Sequence, residues 1–193
     1  MNIDYTNPAM LIGATAVILF IVFLTVAIIE RKRRERTRNL RLRFGHEYDL
    51  LLRQMDSRRN AEARLLAREK RIELLKIRDL KPNERTQFLA AWDLVQSRFI
   101  DHPRGAVIEA DELINAVLRA RGFPSDRFEQ RAADLSVDHA PLVESYRAAN
   151  EIAVRAGKNQ ATTEEMRRAM LYYHAMFDDL LQIDARLEHR AVA

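Results

Sequence analysis

Residues 9–29 read AMLIGATAVILFIVFLTVAII and contain no ionisable side chain. As a helix rising about 1.5 Å per residue, this stretch extends about 31 Å, which matches the ~30 Å hydrocarbon core of a bilayer. A cleaved signal peptide would instead need a basic segment before a shorter apolar run, but Asp4 is the only charged side chain that precedes it. The sequence therefore predicts one transmembrane helix over residues 9–29, preceded by a short extracytoplasmic segment, residues 1–8.

A basic segment, residues 30–43, follows this apolar run. Between Arg31 and Arg43, eight basic side chains stand against one acidic side chain, Glu35. Because positive flanks stay on the cytoplasmic side, we expect a single-pass protein of the bacterial inner membrane with its N-terminus outside. The segment either only fixes this topology or also contacts anionic phospholipid at the inner face. The candidate headgroup contacts are Arg31, Lys32, Arg33, Arg34, Arg36 and Arg38.

The rest of the chain is nearly neutral. From residue 44 onward it holds 24 basic and 25 acidic side chains. A duplex-binding domain would be expected to carry a basic face, so this balance argues against nucleic acid as a partner. The absence of cysteine excludes disulfides, thiolate zinc sites and thiol nucleophiles.

The pattern after the basic segment predicts an all-α cytoplasmic part. Residues 44–80 are charged and favour helix, so we expect one long helix that serves as a stalk and separates from the membrane helix near Gly45. Residues 81–188 predict a compact bundle of about five helices, followed by a tail, residues 189–193. In the first bundle helix an apolar stripe at helical spacing places Trp92 in the core. Predicted helix boundaries in the bundle lie at Pro82, Pro103, Gly122, Ser125, Asp138, Gly157 and Thr162, where Thr162 and Glu165 have the spacing of a capping box.

Catalytic and metal-binding motifs are not evident in the sequence. The five histidines, at 46, 102, 139, 174 and 189, include no pair three or four residues apart, which a helical metal site would need. The acidic run Glu109, Asp111 and Glu112 fits a solvated helix face better than a metal site. We therefore expect a non-enzymatic protein with no metal and no cofactor.

A polar corner, residues 128–139, is the least ordinary stretch of the bundle. It has two interpretations. In one, Arg131 pairs with Asp134 and Asp138 caps the next helix, so that the corner only joins two helices. In the other, Arg131, Asp134, Asp138 and His139 form an exposed surface that contacts a partner protein.

Several short motifs carry a resemblance to a known group of proteins. They are residues 43–45 with 47–49, residues 57–59 with 61–62, residues 92–99, and residues 121–124 followed by 128–139. Together they resemble an uncharacterised bacterial family of membrane-anchored helical proteins over roughly residues 43–181. The resemblance implies a cytoplasmic helical domain behind a short anchor, and it implies no catalytic or binding residues.

The function that best fits this organisation is that of an interaction or scaffold protein. We expect its partners to be other membrane or membrane-associated proteins, and one concrete role is an accessory subunit that stabilises a larger integral-membrane complex from its cytoplasmic side. The alternative is a regulatory or stress-linked sensor that reads anionic lipid through the basic segment.

Overall fold

All secondary structure in the described part of the chain is helical, which confirms the predicted all-α fold. The computed structural model describes the backbone of residues 8–124 and 127–191, and the side chains of residues 15–124 and 127–181. The elements, in chain order, are α1 Pro8–Phe44, α2 His46–Gln54, α3 Arg58–Leu74, α4 Pro82–Asp101, α5 Pro103–Arg121, α6 Phe128–Leu135, α7 Ala140–Gly157 and α8 Thr163–Ala191.

The chain divides into two compact units, residues 1–42 and residues 43–193. In the first unit the structure describes most of α1, whose large apolar side chains from Val17 to Ile29 are exposed; Phe23, for example, is 69% exposed. Within the part of the chain that the structure describes, no helix is both long enough and apolar enough to cross a membrane. Residues 1–7 of the predicted extracytoplasmic segment and the side chains of residues 8–14 lie outside the described residues.

The predicted break at Gly45 is confirmed. Gly45 separates α1 from α2 with a φ of 50°, a left-handed conformation that costs a glycine little because it has no Cβ. The predicted single helix over residues 44–80 is wrong, however. Met55 is extended, and the hydroxyl of Ser57 accepts a hydrogen bond from the Asn60 backbone N–H at 3.2 Å, so a new helix begins there. A Ser in this position is a strong N-cap, and it favours the start of a new helix here despite the helix propensity on either side.

The two helices α2 and α3 fold back on each other rather than forming a stalk. The Tyr48 hydroxyl donates a hydrogen bond to Glu62 at 3.1 Å, and Tyr48 and Leu65 are fully buried. Helix α3 also packs against α6, and α2 contacts α7. The charged stretch is therefore a layer on the helical domain.

The hydrophobic core lies among α4, α5, α7 and α8. Trp92 is 3% exposed and stacks on Phe177 with ring centroids 4.8 Å apart, so its predicted burial is confirmed. The predicted capping box at the start of α8 is also confirmed. The Thr162 backbone N–H donates to the Glu165 carboxylate at 2.8 Å, and the Glu165 N–H donates back to the Thr162 hydroxyl at 3.2 Å.

The connection between α3 and α4 is held against the end of α5. Gly122 ends α5 with a φ of 95°, and a Cβ there would lie 2.7 Å from the Lys76 carbonyl oxygen. The Arg78 N–H donates to the Arg121 carbonyl at 2.8 Å, while the buried Arg121 guanidinium donates to the Leu180 carbonyl at 3.1 Å. Gly122 is thus required both for its backbone conformation and for the close approach of this connection.

Candidate partner-binding site

The polar corner is mostly buried. Asp134 is 1% exposed and His139 is also buried, whereas Arg131 is half-buried and Asp138 is exposed. The prediction that all four residues form an exposed surface is therefore wrong for Asp134 and His139. Burying a carboxylate or an imidazole is costly unless it finds partners, and both side chains find them in distant helices.

Those partners show what the corner does. Arg71 on α3 donates to Asp134 at 3.1 Å, and Gln130 donates to the same carboxylate at 2.8 Å. His139 hydrogen-bonds to Asp179 on α8. The corner consequently joins α6 to α3 through Asp134 and the start of α7 to α8 through His139, which sequence spacing alone could not indicate.

Asp138, the exposed member of the four predicted surface residues, also has a partner within the chain. The Arg43 guanidinium donates to Asp138 at 3.2 Å and to Glu69 at 3.0 Å. Asp138 therefore does not cap α7 as predicted; His139 is the N-cap residue, and its side chain makes no capping hydrogen bond. The other predicted cap, Ser125, lies outside the described residues, and α6 begins at Phe128.

A second polar network lies within the bundle around Asp111. Its carboxylate accepts hydrogen bonds from the Tyr173 hydroxyl at 2.8 Å, from Asn150 at 3.1 Å and from Asn115 at 3.0 Å. Burial raises the pKa of Tyr146 to about 12 despite a hydrogen bond from Arg131. Burial and the adjacent Asp111 also raise the pKa of Tyr173 above its ordinary range. Asp111 thus points inward, contrary to the solvated face predicted for it.

The rest of the acidic run faces outward, and Glu109 pairs with Arg98 at 2.8 Å. Among the described residues, no group of three or more histidine, aspartate or glutamate side chains is arranged to hold a metal ion.

A third cluster centres on Glu47 of α2, which is 5% exposed. Its carboxylate accepts hydrogen bonds from Arg68 at 2.6 Å and from Arg147 at 2.7 and 3.1 Å. Burial alone would raise the pKa of Glu47, but the hydrogen bonds from Arg147 and Arg68 outweigh burial and lower it. Glu47 is therefore a buried anion held by two cations, and it joins α2, α3 and α7.

Arg68 belongs to a row of three arginines along one face of α3. Arg64, Arg68 and Arg71 are spaced four and three residues apart, which places them on one side of a helix. Arg71 binds Asp134, and Arg68 binds Glu47 and the Ser136 hydroxyl. Arg64 is exposed and has no charged partner among the described residues.

The arginine row borders a cleft of about 930 Å³ between α2, α3, α6 and α7. On another wall lies Arg127, at the N-terminal end of α6, which is exposed and likewise without a charged partner in the described part of the chain. Apolar groups complete the lining, so the cleft combines surplus positive charge with hydrophobic surface. Its residues are Glu47, Leu50, Leu51, Gln54, Arg64, Ala67, Arg68, Arg71, Arg127, Phe128, Glu129, Gln130, Ala133 and Arg147.

Sequence reasoning missed this cleft for a physical reason. The spacing of Arg64, Arg68 and Arg71 is visible in the sequence, but in a stretch rich in both charges it is typical of a solvated helix. Only the fold shows that two of these arginines meet buried carboxylates.

The predicted lipid-contacting residues lie on α1. Arg31, Lys32, Arg33, Arg34, Arg36 and Arg38 are all exposed. Two of them make pairs one turn apart, Arg31 with Glu35 at 3.2 Å and Arg34 with Glu30 at 3.8 Å. Such exposed pairs are weak and leave these side chains accessible, and their contact with lipid stays a prediction.

No protein family, curated protein or solved structure matches this chain. The resemblance to an uncharacterised family of membrane-anchored helical proteins therefore stays a prediction.

Proposed function

We propose that this protein is a membrane-anchored, non-enzymatic interaction protein whose helical domain binds a partner protein through the arginine-lined cleft. The observation that carries the proposal concerns the carboxylate partners of the three arginines in the row. Two of its members are satisfied by buried carboxylates of the chain itself, whereas Arg64 faces the cleft without one among the described residues. Arginine is common among the residues that dominate protein interfaces.

The proposed anchor is the segment 9–29. Its support is an uninterrupted apolar sequence and the exposure of the apolar side chains from Val17 to Ile29 on α1. A helix that is apolar on every side needs an apolar environment. With the basic segment inside, the proposal places the protein in the bacterial inner membrane with the domain in the cytoplasm.

Reporter fusions test this orientation. A reporter that is active only in the cytoplasm, fused after Ala193, should work, and one that is active only in the periplasm should stay silent. The reverse pattern would contradict both the orientation and the location of the domain.

The concrete form that we favour is an accessory subunit of an integral-membrane complex. An anchored domain would meet such a partner at the inner face, where the cleft could bind a cytoplasmic segment of it. The combination of a proposed anchor and an arginine-lined cleft in one chain supports this form.

Co-purification of the full chain in mild detergent tests the interaction. Proteins that remain bound to the wild type should be lost from an Arg64→Gln/Arg127→Gln double variant, since both substitutions remove charge from the cleft and neither side chain has a charged partner within the described residues. Arg59→Gln is the matched control, because Arg59 lies exposed on α3 outside the cleft lining. Equal recovery of partners with the double variant would contradict the proposal.

A second candidate function is supported by the exposed basic residues of α1. In this role the protein is a regulatory or stress-linked sensor that reads anionic lipid, to which each nearby basic residue contributes about 1 kcal/mol. Replacing Arg33, Arg36 and Arg38 by glutamine should then abolish the response to anionic lipid while the cleft variants remain active. Orientation must be rechecked in the same strain, because these residues also set topology.

A further inference from the structure

The occupant of the cleft can be specified by its chemistry. We propose that the cleft binds an acidic segment of another protein, in which a carboxylate side chain lies beside an apolar one. This inference rests on the proposed function and adds to it the class of ligand. The carboxylate would be bound by Arg64 and Arg127, and the apolar neighbour would lie against the hydrophobic part of the lining.

The arginine row itself indicates a carboxylate. Arg71 binds the Asp134 carboxylate, and one turn along the helix Arg68 binds the Glu47 carboxylate. Arg64 continues the row by one more turn and has no such partner in the described part of the chain. A carboxylate from outside would give Arg64 the kind of partner that Arg68 already has in Glu47. A planar guanidinium can bind a carboxylate through two N–H groups, as Arg147 does at Glu47.

The charge of the lining favours the same ligand. Five arginines border the cleft against two glutamates, and Arg147 and Arg68 are already held by Glu47. The surplus lies at Arg64 and Arg127. An anionic segment would therefore be attracted and a basic one repelled.

The size and the apolar surface indicate a peptide segment. A volume of about 930 Å³ corresponds to roughly thirty water molecules of ~30 Å³ each, far more than one carboxylate or phosphate group needs. Leu50, Ala67, Phe128 and Ala133 supply apolar lining, which a small inorganic anion could not use. A short stretch of polypeptide can use the charge and the apolar surface together.

Fluorescence anisotropy with the full chain in non-ionic detergent tests the inference. The probe is a labelled peptide of alternating glutamate and leucine, and its controls are the same peptide with glutamine or with lysine in place of glutamate. We expect saturable binding of the glutamate peptide alone. Arg64→Gln and Arg127→Gln should each weaken its binding roughly tenfold, as expected for the loss of a charge-assisted pair, whereas Arg59→Gln should bind as the wild type does.

A charge exchange guards against an effect of folding. In an Arg64→Glu/Arg127→Glu variant, the lysine peptide should bind in preference to the glutamate peptide, which a merely unfolded cleft would not do. Equal binding of the glutamate peptide to wild type and cleft variants would overturn the inference. So would its displacement by equimolar inorganic phosphate or glycerophosphoglycerol, because the site would then recognise a phosphate or a lipid headgroup.

The outcomes separate this inference from the proposed function. If partners are lost from the double variant but no glutamate peptide binds, the cleft is an interface of a different chemistry and only the inference fails. If the peptide binds at Arg64 and Arg127 but co-purifying proteins are unaffected by their replacement, the ligand class stands and the proposed role in holding those partners fails.

Discussion

Glu47 and Asp111 are two largely enclosed carboxylates that this protein stabilises in different ways. Glu47 accepts hydrogen bonds from two guanidinium groups, those of Arg68 and Arg147. Asp111 accepts them from one hydroxyl and two amides, those of Tyr173, Asn150 and Asn115. The Glu47 region is therefore built from charge pairs and opens to a cleft, while the Asp111 region is built from neutral donors inside the bundle.

This difference indicates which region is suited to binding. A network of neutral donors around one carboxylate is complete when its hydrogen bonds are made. A row of arginines keeps unneutralised positive charge wherever the chain supplies fewer carboxylates than guanidinium groups, as at Arg64. We infer that the Asp111 network serves stability and that the Glu47 region serves both stability and recognition.

The largest expected loss in the free energy of unfolding is that of Glu47→Ala. It would leave Arg68, whose side chain is 12% exposed, and Arg147 without their common anion. Breaking a buried ion pair by removing one member costs about 3–5 kcal/mol. Urea unfolding of the full chain in mild detergent, followed by the fluorescence of Trp92, the only tryptophan, measures the loss. Glu73→Ala is the control, since Glu73 lies exposed on α3, the helix that carries Arg68; an equal loss in both variants would contradict the central role of Glu47.

The two regions should also respond at opposite ends of the pH scale. Because the folded state lowers the pKa of Glu47 below its ordinary value of 4.5, its contribution to stability is present above that pH and is lost as pH falls through the lower folded value. Because the folded state raises the pKa of Tyr146 from 10.0 to about 12, the unfolded chain ionises first. Stability therefore falls as pH rises from about 10 toward 12.

The pKa shift of Tyr146 sets the size of its contribution to the stability loss at alkaline pH. A shift of about two pKa units corresponds to a stability loss of roughly 2–3 kcal/mol by pH 12. Tyr146→Phe should reduce the alkaline fall in unfolding free energy by about this amount and leave the acid side unchanged, while Tyr173, whose pKa is raised as well, still contributes to the fall. Glu47→Gln should instead reduce the fall on the acid side and leave the alkaline side unchanged. Tyr172→Phe, at a half-buried position of α8, controls for loss of a hydroxyl group. Coincident pH profiles for all variants would show that the two regions do not titrate separately.

A smaller loss in the free energy of unfolding is expected for Asp111→Asn. The substituted amide keeps one acceptor oxygen but loses the charge that strengthens three hydrogen bonds, at a cost of about 1–2 kcal/mol. Urea unfolding measures the change, and Glu112→Gln is the matched control because Glu112 is exposed on the same helix. A loss as large as that of Glu47→Ala would mean that neutral donors and charge pairs are equivalent here.

Local signals made much of the fold predictable from the sequence. Gly45, Gly122 and the Thr162–Glu165 pair act within one helical turn, and the stripe through Trp92 records which side of α4 is buried. Ser57 was a local signal too, but the strong helix propensity around it concealed the break between α2 and α3.

The candidate site could not be predicted in the same way, because it depends on residues far apart in the chain. Asp134 meets Arg71 across 63 positions, and Glu47 meets Arg147 across 100. Unless those partners are known, the sequence does not distinguish the charged side chains that are buried in the polar corner and in α2 and α3 from charged side chains that are exposed to solvent. The spacing of the arginine row is visible in the sequence. The sequence does not show that two of its three arginines, Arg68 and Arg71, bind buried carboxylates.

The smallest expected effect is the one that decides between a structural and a binding role for the row. Arg68→Gln should be strongly destabilising, because it leaves the buried Glu47 with one cation fewer and Ser136 without its guanidinium donor. Arg64→Gln should change the unfolding free energy by no more than about 0.5 kcal/mol, as is usual for an exposed side chain. Urea unfolding of both variants makes the comparison on one helix and with one substitution. If Arg64→Gln proved as destabilising as Arg68→Gln, Arg64 would be part of the structural network, and its surplus charge could not be assigned to a partner. If it is neutral to stability and still weakens binding of the glutamate peptide, the charge at Arg64 serves recognition.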